Sequence, residues 1–155
     1  MALVYKRATL ADLDILAETR MEVLRAANRL DASADMAQVK RATLAYYRSA
    51  LADGSHTAYL VFDGNVFVGA GGISYYSVMP TYHNPTGRKA YIMNMYTRPA
   101  YRRRGIAART LDLLVQDARG RDVHAISLEA TEMGRPLYEA YGFVPMSSEM
   151  ELPET

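Results

Sequence analysis

The stretch YIMNMYTRPAYRRRGIAARTLDLLVQDA, Tyr91 to Ala118, decides how the rest of the chain is read. Tyr91 to Thr97 is apolar and aromatic with one polar interruption at Asn94, the composition of a strand. A turn with Pro99 and the successive arginines Arg102, Arg103 and Arg104 follows; beyond Gly105, the residues Ala107, Leu111, Leu114 and Ala118 recur at helical spacing. Strand, basic turn, glycine and helix together describe an anion site. The first N–H groups of a helix have no intrahelical acceptor, and the positive end of the helix dipole strengthens their pull on phosphate. Gly105 lets backbone come close to a ligand, and Ala107 is small enough to do the same.

On the N-terminal side, Leu3 to Ala8 is expected as a strand, and Thr9 with Asp12 signals a helix running to about Asn28. Its apolar stripe is Leu13, Leu16, Ala17, Val23, Leu24 and Ala27. Arg20 falls inside that stripe, either as a snorkelling or ion-paired side chain at the core edge or as a charge aimed into a cleft. A second helix is expected from Ser33 to Leu51, with Tyr46, Tyr47 and Ala50 on its apolar face and Asp53 and Gly54 ending it. His56 to Phe62 and Val66 to Tyr76 flank Asp63-Gly64-Asn65, a hairpin signal that makes the two strands antiparallel neighbours. Gly69, Gly71 and Gly72 in the second of them point to a bulge or to a close approach by another backbone or a ligand. Met79 to Lys89 is a polar loop of a length that often carries function.

On the C-terminal side, Val123 to Leu128 reads as an internal strand parallel to the central one, with the helix as a right-handed crossover. Thr131 to Phe143 reads as a short helix with Pro136 in its first turn and Gly142 as cap, and the chain from Val144 onward as one more strand. The 155 residues, half of them hydrophobic, suffice for one domain and are few for two. Eighteen basic against seventeen acidic side chains give a net charge of +1, which offers no global argument for nucleic acid or an anionic membrane. Without cysteine there is no disulfide, thiolate metal site or cysteine nucleophile. No apolar run reaches membrane-spanning length, and the first residues lack a signal peptide's apolar core, so a cytoplasmic protein is expected.

Arg102-Arg103-Arg104-Gly105-Ile106-Ala107 resembles the acetyl-CoA signature of the GNAT acetyltransferase family: Gln or Arg, two variable residues, Gly, a variable residue, then Gly or Ala. As in that family, it follows a strand and opens a helix, and Leu137-Tyr138-Glu139-Ala140-Tyr141-Gly142-Phe143 resembles the family's C-terminal landmark. The resemblance implies a mixed α/β fold with a mostly antiparallel sheet of about six or seven strands and helices on both faces. It implies a single N-acetyltransferase domain over residues 1–155, with acetyl-CoA as co-substrate and no metal. The pyrophosphate would then meet the N–H groups of Arg103, Arg104, Gly105, Ile106 and Ala107, with Arg102 beginning the pattern. The pantetheine arm would lie against the backbone of Met95 and Thr97, with Tyr96 facing away from it or flanking it.

The implied reaction is direct attack by a primary amine of a small molecule or peptide on the thioester, through a tetrahedral intermediate. Tyr138 matches the family's general acid for the departing thiolate; its other reading, with Tyr141, is core aromatic packing. On the acceptor side the candidates are Arg20, Glu22, His83, Asn94 and Glu129, and the bases by residue type are Glu22, His83, His124 and Glu129. Arg20 and Glu22 together suit the carboxylate and ammonium of an amino acid. A homodimer is compatible with this reading, and no nucleic-acid or membrane partner is expected. The alternatives are a non-catalytic acyl-CoA sensor of the same fold and, more distantly, a basic turn for nucleic acid.

Overall fold

The helix start read at Thr9 is a capping box: the Thr9 hydroxyl accepts from the Ala11 N–H, and the Asp12 carboxylate accepts from the Thr9 N–H at 2.8 Å. In the computed structural model, which describes residues 2–154, strand β1 (Leu3–Arg7) runs through this 3-10 turn (Leu10–Asp12) into α1 (Leu13–Asn28). Helix α2 (Ala37–Asp53) begins later than its apolar pattern suggests. Asp31 and Asp35 tie the preceding segment into local turns, Asp31 accepting from the Ser33 N–H and Asp35 from the Ala37 N–H. Gly54 ends α2 in the left-handed conformation. Then come β2 (His56–Asp63), β3 (Val66–Ser77), β4 (Arg88–Thr97), α3 (Ile106–Gly120), β5 (Ala125–Leu128) and α4 (Arg135–Tyr141).

The strands form one sheet in the order β1-β2-β3-β4-β5, antiparallel except for the parallel β4–β5 pair, which α3 connects as the crossover. Helices cover both faces. Leu111, Leu114, Val115 and Ala118 of α3 pack on Ile73, Ala90 and Ile92, while Leu16 of α1 and Tyr47 of α2 pack on Ala58, Leu60, Phe67 and Ala70 on the other side. The described sheet has five strands rather than six or seven, because the segment from Val144 onward, expected as a strand, pairs with nothing. Pro145 and Pro153 remove ladder donors from it, and its apolar side chains stand in solvent. The glycines of β3 serve close approach: a Cβ at Gly71 would lie 2.6 Å from the Thr110 methyl and 2.8 Å from the Met95 sulfur. No described helix is long and apolar enough to cross a membrane.

One polar knot ties β1, β2 and β3 to α3. Asp117, with a side chain only 8% exposed, accepts from the Tyr75 hydroxyl at 2.5 Å, from Thr57 at 2.9 Å, and from Arg7 and Arg121 at 2.8 and 3.2 Å. Burial alone raises its pKa, but the hydrogen bonds from Tyr75 and Thr57 and the charges of Arg121 and Arg7 outweigh burial and hold it below the usual carboxylate range. A folded-state pKa below the unfolded one gives stability that is complete above about pH 4 and is lost as pH falls through the folded value. Asp117→Asn is therefore expected to cost about 2 kcal/mol in urea unfolding at neutral pH, with the gap from wild type closing in acid. A pH-independent gap would contradict this reading.

Candidate active site

Strand β4 carries two interruptions of its hydrogen bonding. On the β5 side the parallel ladder runs from Lys89↔Ala125 to Ile92↔Leu128 and ends there, although β4 continues to Thr97. On the β3 side Gly72 pairs with Met93 and Ala70 with Tyr96, so Asn94 and Met95 together face Gly71: a β-bulge. Asn94 has φ 60°, the left-handed region that asparagine tolerates better than most side chains. The bulge sends Met95 toward α3 and Tyr96 toward α1, where the Tyr96 ring stacks on Phe67 with centroids 6.5 Å apart.

Beyond β4, a 3-10 turn (Pro99–Tyr101) leads into the arginine run. Arg103 has φ 63° and Gly105 φ 79°, so left-handed residues bracket Arg104 and alternate the backbone direction, the geometry that gathers N–H groups into an anion-binding concavity. A Cβ at Gly105 would meet nothing within 4 Å, so no neighbouring group crowds this residue on its Cβ side. The helix ladder opens with the Arg109 N–H on the Gly105 carbonyl, so the N–H groups of Ile106, Ala107 and Ala108 have no intrahelical acceptor. The Ile106 side chain is buried with Val61 and Val68 and anchors this helix start. The arginine side chains diverge: Arg102 Nε donates to the Thr97 carbonyl at 3.3 Å, Arg104 lies over the Tyr101 ring, and Arg103 is exposed.

Two contacts join α1 to β4. Arg20, the charge inside the apolar stripe, donates to the side-chain oxygen of Asn94 at 3.0 Å, directly at the bulge. Glu22 takes both Nε and Nη2 of Arg98 at 2.9 and 2.8 Å, while the Arg98 guanidinium lies over the Phe67 ring. The hydrogen bonds from Arg98, against burial, hold the Glu22 pKa down. Glu22 is thus occupied in clamping the far end of β4 to α1. Beside Arg20, the Tyr46 hydroxyl bonds His56 Nδ1 at 2.9 Å and Ser74 at 2.7 Å. Burial, then the nearby Arg20 charge, lowers the His56 pKa to about 4, so this ring is neutral at pH 7.

Tyr138 of α4 is 8% exposed, lies edge-on to Phe143, and shares a cleft with Ile126, Ser127 and Leu128 of β5. Burial raises its hydroxyl pKa further above the ordinary tyrosine value. Tyr141 instead donates to Asp112 at 2.8 Å. Glu129 follows Leu128, the last paired residue of β5, and burial, then the nearby Glu129 charge, raises the Tyr91 hydroxyl pKa. His83 lies in the exposed 78–87 loop with its ring against Tyr82, and His124 bonds Asp122 ahead of β5. Among the described residues, no group of three or more His, Asp or Glu side chains could hold a metal ion.

The central strand of this chain is thus bulged on one edge, released on the other, and runs into a left-handed basic turn and the start of α3. The sequence pattern of the acetyltransferase (GNAT) family matches residues 21–143. This chain belongs to the GNAT family. Among solved structures it is similar to a predicted acetyltransferase with acetyl-CoA from Clostridium acetobutylicum, at 33% identity over 98% of this chain and 96% of that one, with TM-score 0.88. It is also similar to a GCN5-related N-acetyltransferase from Ralstonia eutropha, at 25% identity over 99% of both chains, with TM-score 0.82. Glucosamine-6-phosphate N-acetyltransferase from Arabidopsis thaliana shares the fold at 9% identity and TM-score 0.71. No curated protein matches the chain.

Within this GNAT chain the Arg98–Glu22 clamp is not readable from sequence. A charge at the end of an apolar strand signals that a partner is needed, but Glu22 is 76 positions away. The bulge has a direct test. Asn94→Gly should keep it at little cost, whereas Asn94→Val, a β-branched residue forced to positive φ, should lower stability by about 2 kcal/mol or more in denaturant unfolding. Equal effects would show that the left-handed geometry is not required.

Proposed function

We propose that this chain is a single-domain, acetyl-CoA-dependent N-acetyltransferase that transfers acetyl to a primary amine of a small molecule or peptide. The observation that carries the reading is the release of β4 from β5 after Ile92, leading directly to the open N–H groups around Gly105. An extended pantetheine arm ending in a pyrophosphate has the shape and charge to satisfy both sets of unpaired backbone groups. In this reading Met95, Tyr96 and Thr97 offer the strand edge. Arg102, Arg103, Arg104, Gly105, Ile106 and Ala107 offer the turn, chiefly through backbone.

The amine attacks the thioester carbonyl, and the oxygen that becomes negative is met by a backbone N–H at the bulge near Met95. Tyr138 gives its proton to the departing thiolate; its seat beside Leu128 supports that role, and its raised pKa keeps the hydroxyl protonated at neutral pH. An amine of pKa about 10.4 is only about one part in a thousand neutral near pH 7.4, so a proton must leave before attack. Supporting Glu129 as the proton acceptor is its position directly after the last β4–β5 pair. The acceptor approaches from the α1 side, where Arg20 and Asn94 stand. Because Arg98 holds Glu22, Arg20 is left as the charge there that meets an acidic group of the acceptor.

The test is a thermal-shift titration with acetyl-CoA, followed by an amine panel monitored for free CoA. Stabilisation by acetyl-CoA and thiol release with at least one amine are expected. Binding without release from any amine would favour a sensor, and indifference to acetyl-CoA would remove the reading. Tyr138→Phe should lower kcat by about 10²-fold or more with acetyl-CoA affinity unchanged. Gly105→Val, which forces a branched side chain to positive φ, should weaken acetyl-CoA binding more than Arg103→Ala does; the reverse order would put the weight on side-chain charge.

A further inference from the structure

Resting on the transferase reading, we propose that Arg20 and the Tyr46 hydroxyl form a seat for one carboxylate, so that the acceptor is a free amino acid whose carboxylate lies a few bonds from the reacting amine. His56 is the positioning residue that fixes Tyr46 in this seat. Arg20 carries a charge that the fold leaves unmatched. Its neighbours on α1 are paired, Glu18 with Lys40 and Glu22 with Arg98, whereas among the described residues no carboxylate lies within ion-pair distance of Arg20. The half-buried guanidinium donates instead to the neutral side chain of Asn94. It faces α2 and β2 as well as β4: after burial, its charge is the next influence on the pKa of both Tyr47 and His56. A cation withdrawn from water without a counter-ion favours an anionic ligand.

The second donor is set by a buried ring. His56 is 5% exposed, and its Nδ1 lies 2.9 Å from the Tyr46 oxygen and 3.1 Å from Ser74 Oγ, which are 2.7 Å from each other. Its Nε2 is buried with no hydrogen-bond partner and lies over Gly72, where a Cβ would come within 2.7 Å of it. A buried N–H without a partner is rarer than a buried acceptor without one. The neutral ring therefore keeps its proton on Nδ1 and donates it into the hydroxyl pair. Tyr46 and Ser74 then hold two protons for the one bond between them. Inside the fold the surplus finds only the Met93 sulfur, a weak acceptor 3.7 Å from Ser74. An anion reached by Tyr46, the exposed member of the pair, is a stronger one.

The placement favours a compact acceptor. His56 pairs with Ser74 and Ser74 with Tyr91, so the cluster stands on the sheet three positions before Asn94 on β4. Arg20 spans that interval, since its contact with Asn94 sets the guanidinium at the bulge beside Met95, where the thioester carbonyl is placed. An amine attacking at the bulge and a carboxylate on Arg20 then belong to one small molecule. Two donors match the two oxygens of a carboxylate.

The test measures CoA release at saturating acetyl-CoA with the common amino acids, each as the free acid and as its α-carboxamide, with rates referred to the unprotonated amine. Wild type should favour the free acid of its best substrate by about tenfold or more in kcat/KM. Arg20→Gln should remove most of that preference, and Tyr46→Phe should raise KM for the free acid about fivefold more than KM for the carboxamide. His56→Asn, whose amide N–H can stand where Nδ1–H does, should keep the preference, and His56→Leu should lose the share due to Tyr46. The melting shift produced by acetyl-CoA verifies that each variant is folded. Equal use of acid and carboxamide, a preference that survives both Arg20→Gln and Tyr46→Phe, or CoA release with other amines but no amino acid would overturn the inference and leave the transferase reading standing. No release with any amine would remove both.

Discussion

Strand β4 is ten residues long and its parallel neighbour β5 only four, and the rest of the site depends on that mismatch. Backbone N–H and C=O groups demand partners, so the half of β4 beyond Ile92 must present its free edge to water or to something extended. The bulge opposite Gly71 adds a second constraint. By adding one residue on β4, it turns Met95 toward α3 and Tyr96 toward α1 and brings Asn94 within reach of Arg20. The surrounding packing is subordinate to keeping this strand fixed while half of it is unpaired. Gly71 yields space to Thr110 and Met95, and Glu22 clamps Arg98 to α1.

The three arginines are the most visible feature of the central stretch, and the structure divides their work. Arg102 turns back on the Thr97 carbonyl and Arg104 lies over Tyr101, whose hydroxyl donates to Asp63 at 2.9 Å. What they frame is backbone: two left-handed residues and a helix start whose first N–H groups have no intrahelical acceptor. Charge screened at a surface adds modest attraction, whereas oriented N–H groups are fixed before any ligand arrives. The single polar residue inside the strand, Asn94, has an equally local cause, being a side chain that accepts positive φ at a bulge.

Patterns carried by contiguous residues were legible in sequence. The strand, turn and helix from Tyr91 to Ala118, the hairpin at Gly64 and Asn65, and the capping box at Thr9 each need only their own few side chains, and the mixed, mostly antiparallel fold follows from their order. What was not legible required a distant partner. The bulge is defined by Gly71 on another strand, the partner of Arg98 lies on α1, and Tyr46, read on an apolar face, turns its hydroxyl to His56 and Ser74. The start of α2 shifted because aspartate turns compete with helix. The tail from Val144 shows the limit most plainly, since its alternation is a sound strand pattern and a strand still exists only against a neighbour.

Whether the released edge of β4 and the helix start at Gly105 receive one continuous ligand is decided by amide NMR during titration with acetyl-CoA. The largest shifts are expected at the amides of Met95 to Thr97 and of Arg103 to Ala107, rising together along a single binding curve. Shifts confined to other parts of the sheet, or none at saturating acetyl-CoA, would contradict a single continuous ligand.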